Sequence, residues 1–504
     1  MPVTVTHIDP VTRLEGHLKV QVNIDTVNGQ LKVVDAWSIG TMFRGFEKLL
    51  ISRNPQDAQH ITERVCGVCP VSHGLAAVLA LDSAARVRIP ANARILRNLV
   101  LGANFVQSHI LHFYLLALPD FMDGPDMPPW KPSWNVDRRF DAATNQRFLD
   151  NYLKAVEMRR KAHEAGALFG GRMPHPPAFL PGGITTTPRP DRIALFKTYL
   201  NELIPFIQNV YIPDAELLGQ TYSDYFQVGR GLGNLLAFGV FDQDSRGSKK
   251  LLKRGQVLNG SASVGSVDTK KITEHVTYSW YADSTNWLNP SAGDTVTQYP
   301  KDSAYSWLKA PRYGGYPYEC GPLARMWVNG DYRSGISVMD RHRARAREAL
   351  KVAQAMLTWV GQISGTKVYS PPTIPQQATS VGLTEAPRGA IGHWVNISAG
   401  KISRYQIVTP TCWNCSPRDS GGVRGPMEMA LLGTPVKSPD QPLEVMRVIH
   451  SIDPCLSCAV HVMRPDENVR IFALGHYHSE EEMARSTAGE AHVHEDNHHH
   501  RHPH

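Results

Sequence analysis

Seven cysteines are spread over 504 residues, and six of them form three C-x-x-C pairs: Cys66/Cys69, Cys412/Cys415 and Cys455/Cys458. No other feature limits the fold as much. An odd cysteine count in a long chain is a poor basis for a disulfide scaffold, whereas thiols at i and i+3 suit metal or redox chemistry. The first pair stands in Arg64-Val65-Cys66-Gly67-Val68-Cys69-Pro70-Val71-Ser72-His73, and the last in Asp453-Pro454-Cys455-Leu456-Ser457-Cys458-Ala459-Val460-His461. Each ends on a histidine. Four thiolates from two such pairs make a tetrahedral sulfur site, which by ligand count fits zinc or an iron–sulfur cluster. Structural zinc pairs, however, usually lie within tens of residues, in small modules that need the metal to fold. Here the pairs bracket nearly the whole chain, which has hydrophobic residues enough (42%) for a core of its own. That spacing points to a cofactor held at the centre of a fold.

Charged residues are 20% of the chain and the net charge is +7, small for this length and without a long basic run before the tail, so no nucleic-acid function is expected. No stretch reaches 18 consecutive apolar residues, so no transmembrane helix is expected. Met1 to Pro10 lacks the basic and apolar regions of a signal peptide, so export would require travel with a partner. Residues 17–38 alternate around Asn28-Gly29 and predict a β-hairpin. Apolar residues at helical spacing predict a helix from Asn92 to Pro119, with others over Ala142–Ala165, Asp191–Phe206 and Met339–Ile363. Pro-, Gly- and aromatic-rich stretches, 123–134 and 286–321, read as irregular segments that are functional or packed on a partner. Gly229-Arg230-Gly231-Leu232-Gly233 lacks the spacing of a nucleotide loop. The expected fold is mixed α/β, mostly α: a large single domain with a central bundle of long helices and small peripheral β-sheets.

Six short motifs in order carry a resemblance. They are Arg13-Leu14-Glu15-Gly16-His17, Met42-Phe43-Arg44-Gly45-Phe46-Glu47, the first cysteine motif at 64–73, Ala386-Pro387-Arg388-Gly389, Trp413-Asn414-Cys415-Ser416-Pro417-Arg418-Asp419, and the last cysteine motif at 453–461. In these the sequence resembles the large subunits of [NiFe]-hydrogenases, and Cys69-Pro70-Val71-Ser72-His73-Gly74 looks most like the membrane-associated uptake type. The resemblance implies nickel held by Cys66, Cys69, Cys455 and Cys458, with Cys69 and Cys458 bridging to an iron that carries carbon monoxide and cyanide. Soft thiolates suit such metals. It implies that Glu15 relays protons from a terminal cysteine, that Arg388 lies over the metals and is oriented by Asp453, and that His73, Pro387 and Thr411 frame the cofactor. The Cys455 thiolate or the Arg388 guanidine would serve as base. A second metal, usually magnesium, is implied on Glu47, His461 and the Ile407 carbonyl. Ser108 stands where the family often has Asp, which removes a possible anionic partner of Arg388.

Cys412 and Cys415 match the ligand spacing, but the family usually has Thr and a small residue there, so they are expected to be packed thiols. Cys320 is read as a buried small hydrophobe. By the resemblance, residues 1–461 form the catalytic domain and 462–504 a propeptide removed after His461 by a maturation endopeptidase once insertion factors have loaded nickel. Its histidines, from His492 to His504, suit a solvent-exposed tail or one that collects nickel. The expected activity is reversible oxidation of hydrogen, with electrons passed to an iron–sulfur small subunit because this chain has no spare cysteine set for clusters. A membrane cytochrome or other anchor would hold the complex at the periplasmic face after co-export, the precursor being cytoplasmic. The alternatives are a hydrogen-sensing homologue with little turnover and a structural metal-binding subunit of a redox complex.

Overall fold

The computed structural model describes residues 3–131, 134 and 136–456. The chain opens with an antiparallel sheet of β1 (Thr4–Ile8), β2 (Leu18–Val27) and β3 (Gln30–Gly40), in that spatial order. Asn28 and Gly29, both at positive φ, make the two-residue turn of the predicted hairpin. Alternate residues of β2 (Leu18, Val20, Val22, Ile24) are buried, as one covered face requires.

The helices follow: α1 (Pro70–Ala84), α2 (Ala91–Leu111), α3 (Ala142–Gly170), α4 (Pro190–Phe206), α5 (Pro322–Asn329) and α6 (Val338–Gly361). Next come β4 (Gln377–Ala386), β5 (Gly389–Ser398) and β6 (Lys401–Val408), an antiparallel meander, and then α7 (Leu443–Ile452). Helix α2 packs on α3 and α6, α4 packs on the same two, and α7 lies against α6. This is the central bundle, and the sheets are small and separate. Nearly every residue of α2 is buried, its polar side chains (Arg97, Asn98, Asn104, Gln107, Ser108, His109) as well as its apolar ones. The stretch 91–120 is long and apolar enough to cross a membrane by composition, but 89% of its apolar window is buried inside the protein. It is the core helix of this fold.

Local chemistry fixes the helix ends. The Asp141 carboxylate accepts from Thr144 N at 2.7 Å to start α3, and Ser337 does the same for α6 through Asp340 N at 3.1 Å. Helix α2 differs from the sequence expectation: regular α geometry stops at Leu111, a π-helical stretch runs over 112–117, and a tight 3-10 turn over 118–120 contains Pro119. Proline lacks an N–H and its ring crowds the preceding turn, so the helix changes pitch as it nears it.

The sheet β4–β6 packs on α1. At Gly382 a Cβ would strike the Ala76 carbonyl oxygen, so the missing side chain is what lets strand and helix approach. That contact brings the loop before α1, with Cys66 and Cys69, to the end of β4. Val65, Cys66, Cys69, Ala386, Ile391 and Cys455 form one buried cluster there.

Candidate metal centre

Pro70 begins α1, so Cys66 and Cys69 lie in the tight loop that enters it. The backbone N–H groups of Val68 and Cys69 both point at Cys66 Sγ, at 3.3 and 3.2 Å. Cys69 Sγ lies 3.0 Å and Cys455 Sγ 3.3 Å from Cys66 Sγ. These separations are far above the roughly 2.05 Å of a disulfide bond. All three sulfurs are buried and lie within 4.8 Å of one another. Cys458 and His461 fall outside the described residues.

Cys455 reaches the site because α7 stops short. Asp453 caps α7 in the left-handed conformation, φ 63° and ψ 63°. This costs a non-glycine residue energy, and Asp tolerates it better than most. Cys455 then pairs with Glu15 in a parallel bridge, Leu456 N donates to the Glu15 carbonyl at 2.6 Å, and Cys455 N donates to Thr411 Oγ1 at 3.0 Å. The N-terminal segment is fastened in turn. The Arg13 guanidinium pairs with buried Asp120, which also bonds His450 Nδ1 at 2.5 Å, and His450 Nε2 meets the Thr12 carbonyl at 2.8 Å. Burial opposes the Asp120 charge, but Arg13 and His450 outweigh it and hold its carboxyl well below the usual range. One Glu15 carboxylate oxygen accepts from Gly67 N at 3.3 Å, which ties Glu15 to both cysteine segments.

Arg388 is buried, with Nε 3.0 Å from Asp453 Oδ1 and Nη1 donating to Ser108 Oγ at 3.4 Å. Its Nη2 has no hydrogen-bond partner among the described residues. Burial works against its charge, yet Asp453 and the sulfurs of Cys455, Cys69 and Cys66 prevail and push its pKa well above the ordinary value. Those sulfurs are therefore near enough to feel the cation. Buried thiols with N–H donors aimed at sulfur and a cation alongside suit a soft, late transition metal that binds thiolates.

Three further groups surround this centre. His73, in α1, bonds His393 Nε2 through Nδ1 at 3.2 Å, and His393 Nδ1 bonds the Tyr405 hydroxyl at 2.8 Å. Burial pushes His73 down to about 4, so its ring is neutral at ordinary pH. Glu47 accepts from Ile407 N at 2.9 Å and from the Thr295 hydroxyl. Lys309, Gln406 and Glu274 stand behind it, Lys309 Nζ donating to Gln406 Oε1 at 2.7 Å. Cys412 and Cys415 are buried in the main core rather than in the thiol cluster. Thr409 Oγ1 donates to Cys412 Sγ at 3.3 Å, and burial pushes the Cys412 thiol up to about 11. Cys320 is also buried, its sulfur 3.5 Å from the Pro410 carbonyl oxygen.

The fold thus brings together Glu15, Cys66, Cys69, Arg388, Asp453 and Cys455, with Thr411 holding the Cys455 backbone. Glu47 meets Ile407, which packs against the cluster. The Arg13–Asp120–His450 clasp, the histidine–tyrosine relay behind His73, and Thr295 beside Glu47 were not anticipated from the sequence. His393 alone left a signal, as the one polar residue in the buried run Gly389 to Val395.

A family model described as nickel-dependent hydrogenase matches residues 44–128 and 126–461, and one described as HoxL-like matches residues 5–34. The chain is 42% identical over 494 residues to the periplasmic [NiFeSe] hydrogenase large subunit of Desulfomicrobium baculatum, covering 91% of this chain and 95% of that one. It is 33% identical over 572 residues to an uptake hydrogenase large subunit of Rhizobium leguminosarum bv. viciae, with the same coverage. A solved [NiFeSe] hydrogenase variant from Desulfovibrio vulgaris Hildenborough superposes with a TM-score of 0.88 at 42% identity, over 92% of this chain and all of that one. Fold, buried thiols and matches together place the chain in the nickel-dependent hydrogenase family, among its large subunits. It is an oxidoreductase that acts on hydrogen.

Proposed function

We propose that the chain oxidises molecular hydrogen reversibly to protons and electrons at a nickel–iron centre held by Cys66, Cys69, Cys455 and Cys458, and passes the electrons to an iron–sulfur small subunit. The observation that carries this reading is the meeting of three buried cysteine sulfurs from opposite ends of the chain within 4.8 Å. When bound, the metal pair, with carbon monoxide and cyanide on its iron, supplies the Lewis acidity and redox capacity that split hydrogen.

The chain's own residues handle the proton and shape the pocket. The Cys455 thiolate accepts the proton, and Glu15 takes it onward. The backbone bridge between Glu15 and Cys455 sets their spacing, and the Gly67 N–H steadies the carboxylate. Glu15 is only partly buried, so the proton leaves towards solvent from there. Arg388, held by Asp453, closes the pocket with a fixed positive charge over the thiolates. Pro387 and Thr411 would frame the diatomic ligands. The Thr411 oxygen accepts from Cys455 N and so keeps its own proton to donate. Glu47, the Ile407 carbonyl and His461 would hold a magnesium ion, a hard cation suited to oxygen ligands.

Among the described residues, Cys320, Cys412 and Cys415 belong to no group of three or more candidate metal ligands, which supports iron–sulfur clusters held by the partner. The family match ends at residue 461, which supports cleavage after His461 and a propeptide of residues 462–504. A maturation endopeptidase and nickel-insertion factors would serve that step. Relatives named as periplasmic and as uptake enzymes support a place on the periplasmic face, held at the membrane through partners. The test is hydrogen-dependent dye reduction by the purified complex, with nickel and iron measured on the same sample. Absence of activity in a nickel-loaded complex would overturn the reading.

A further inference from the structure

The turn that presents Arg388 is held from behind by a second, fully buried arginine. Strands β4 and β5 pair as far as Ala386 opposite Gly389, so Pro387 and Arg388 form a two-residue hairpin tip. The Arg388 side chain faces Asp453 and Ser108. The carbonyls of the tip face the other way. Arg325, on α5, donates to the Ala386 carbonyl at 2.9 Å through Nη1 and to the Pro387 carbonyl at 2.7 Å through Nη2. Its three remaining N–H bonds go to Glu348 Oε2 at 2.9 Å, Glu348 Oε1 at 2.6 Å and Glu385 Oε2 at 2.8 Å. All five donors of the guanidinium fork are therefore used, each in a set direction.

The support continues outward on rigid elements. Glu348, in α6, also bonds His109 Nε2 of α2 at 2.9 Å. Phe105, one turn earlier on α2, lies under the Arg325 guanidinium at 5.0 Å, and Ser108 of the same helix touches Arg388. The backbones also press together. A Cβ on Gly389, at φ 138°, would strike Cys320 Sγ, and one on Gly321, at φ 125°, would come within 3.0 Å of the Arg388 carbonyl oxygen. Only glycine allows that approach at both positions.

We infer that Arg325 is a positioning residue: by gripping the Ala386 and Pro387 carbonyls it sets the height and tilt of the Arg388 guanidinium over the cysteine cluster. The inference rests on the proposed function only for its catalytic consequence. The grip itself is a property of the chain. Displacing a reacting constellation by about 1 Å costs on the order of 100-fold in rate, so a fixed hairpin tip has a direct effect on turnover.

Arg325→Lys keeps the charge but cannot make the forked contacts to Glu348 and both carbonyls. Glu385→Gln is the milder variant. Its carboxylate now accepts from Arg325 and from Phe238 N, and an amide in either orientation loses one of these contacts. Amide hydrogen exchange, read on the purified complex, is expected to speed up about tenfold or more at Arg388–Ala390 in either variant, with α2 and α6 unchanged. Faster exchange spread evenly over the helices would mean that Arg325 only stabilises the fold, and would overturn the inference.

Turnover supplies the second reading. Arg325→Lys is expected to lower the rate about 10- to 100-fold with nickel and iron retained, but to lower it less than about twofold further in an Arg388→Lys background. Equal losses in both backgrounds would show that Arg325 does not act through Arg388. A complex without nickel before any substitution would instead overturn the proposed function, while the exchange measurement would still decide the positioning role.

Discussion

Glu15→Gln separates the proton path from the metal site. Glu15 is tied to the centre by its backbone and its side chain: its carbonyl accepts Leu456 N at 2.6 Å, its backbone is thereby bridged to Cys455, and one side-chain oxygen accepts Gly67 N at 3.3 Å. The first two are unaffected by a side-chain change. Glutamine keeps an oxygen for the third, and a long, partly exposed bond of this kind contributes on the order of 1 kcal/mol or less. Folding and metal content are therefore expected to stay within error of the parent chain. What glutamine lacks is a state that takes a proton and releases it. Loss of a positioned general acid–base typically costs about 100- to 10,000-fold, and turnover should fall by that order. The assay pairs dye reduction with hydrogen–deuterium exchange of the gas by mass spectrometry, and elemental analysis of the same sample. Unimpaired exchange with normal nickel would remove Glu15 from the path. A loss of nickel matching the loss of rate would show that Glu15 serves the fold of the centre instead.

Cys66→Ala or Cys455→Ala should abolish nickel retention, whereas Cys412→Thr and Cys415→Ala should leave nickel and iron near normal by elemental analysis. Nickel lost on changing Cys412 would refute its reading as a packed thiol. Stability should depend on pH in two windows. Burial pushes Glu385 and Glu428 up to about 7, while an unfolded glutamate titrates near about 4.3, so the folded chain binds more protons and gains stability as pH falls from 8. Burial pushes His73 and His275 down to about 4, so the unfolded chain binds more protons below about 6.5 and stability is lost as pH falls further. The thermal midpoint, measured from pH 8 to 5, should rise to about 6.5 and then stop rising. A steady fall from pH 8 to 6.5 would contradict the assignment. Mass spectrometry of active complex should find a chain ending at His461, the 43 residues from Val462 to His504 removed. An active, nickel-loaded chain ending at His504 would refute the maturation proposal.

Much of this was legible in the sequence. Asn28-Gly29 announces its hairpin, and the apolar spacing of α2 is a local signal that local physics obeys. The cysteine pairs were legible because their chemistry is rare. The meander β4–β6 was not anticipated from the sequence, and β5 shows why. Seven successive residues of β5, Gly389 to Val395, are all buried, and continuous burial erases the period of two that marks a half-exposed strand. The Ala399-Gly400 turn, both residues at positive φ, was the available clue. Long-range charge pairs leave no trace of any kind. Nothing in Arg325, Glu348 and Glu385, or in Arg13, Asp120 and His450, announces that they meet, since buried ion pairs are chosen by tertiary packing and not by spacing.

The central claim is that buried thiols from the two ends of the chain hold a nickel–iron pair. Elemental analysis and infrared spectroscopy of one purified sample test it most directly, because carbon monoxide and cyanide on iron absorb where proteins do not. The account predicts about one nickel per large subunit, with iron in excess of nickel because the small subunit's clusters also carry it, and sharp bands in that window that vanish in Cys455→Ala. Zinc in place of nickel, with an empty infrared window, would contradict it.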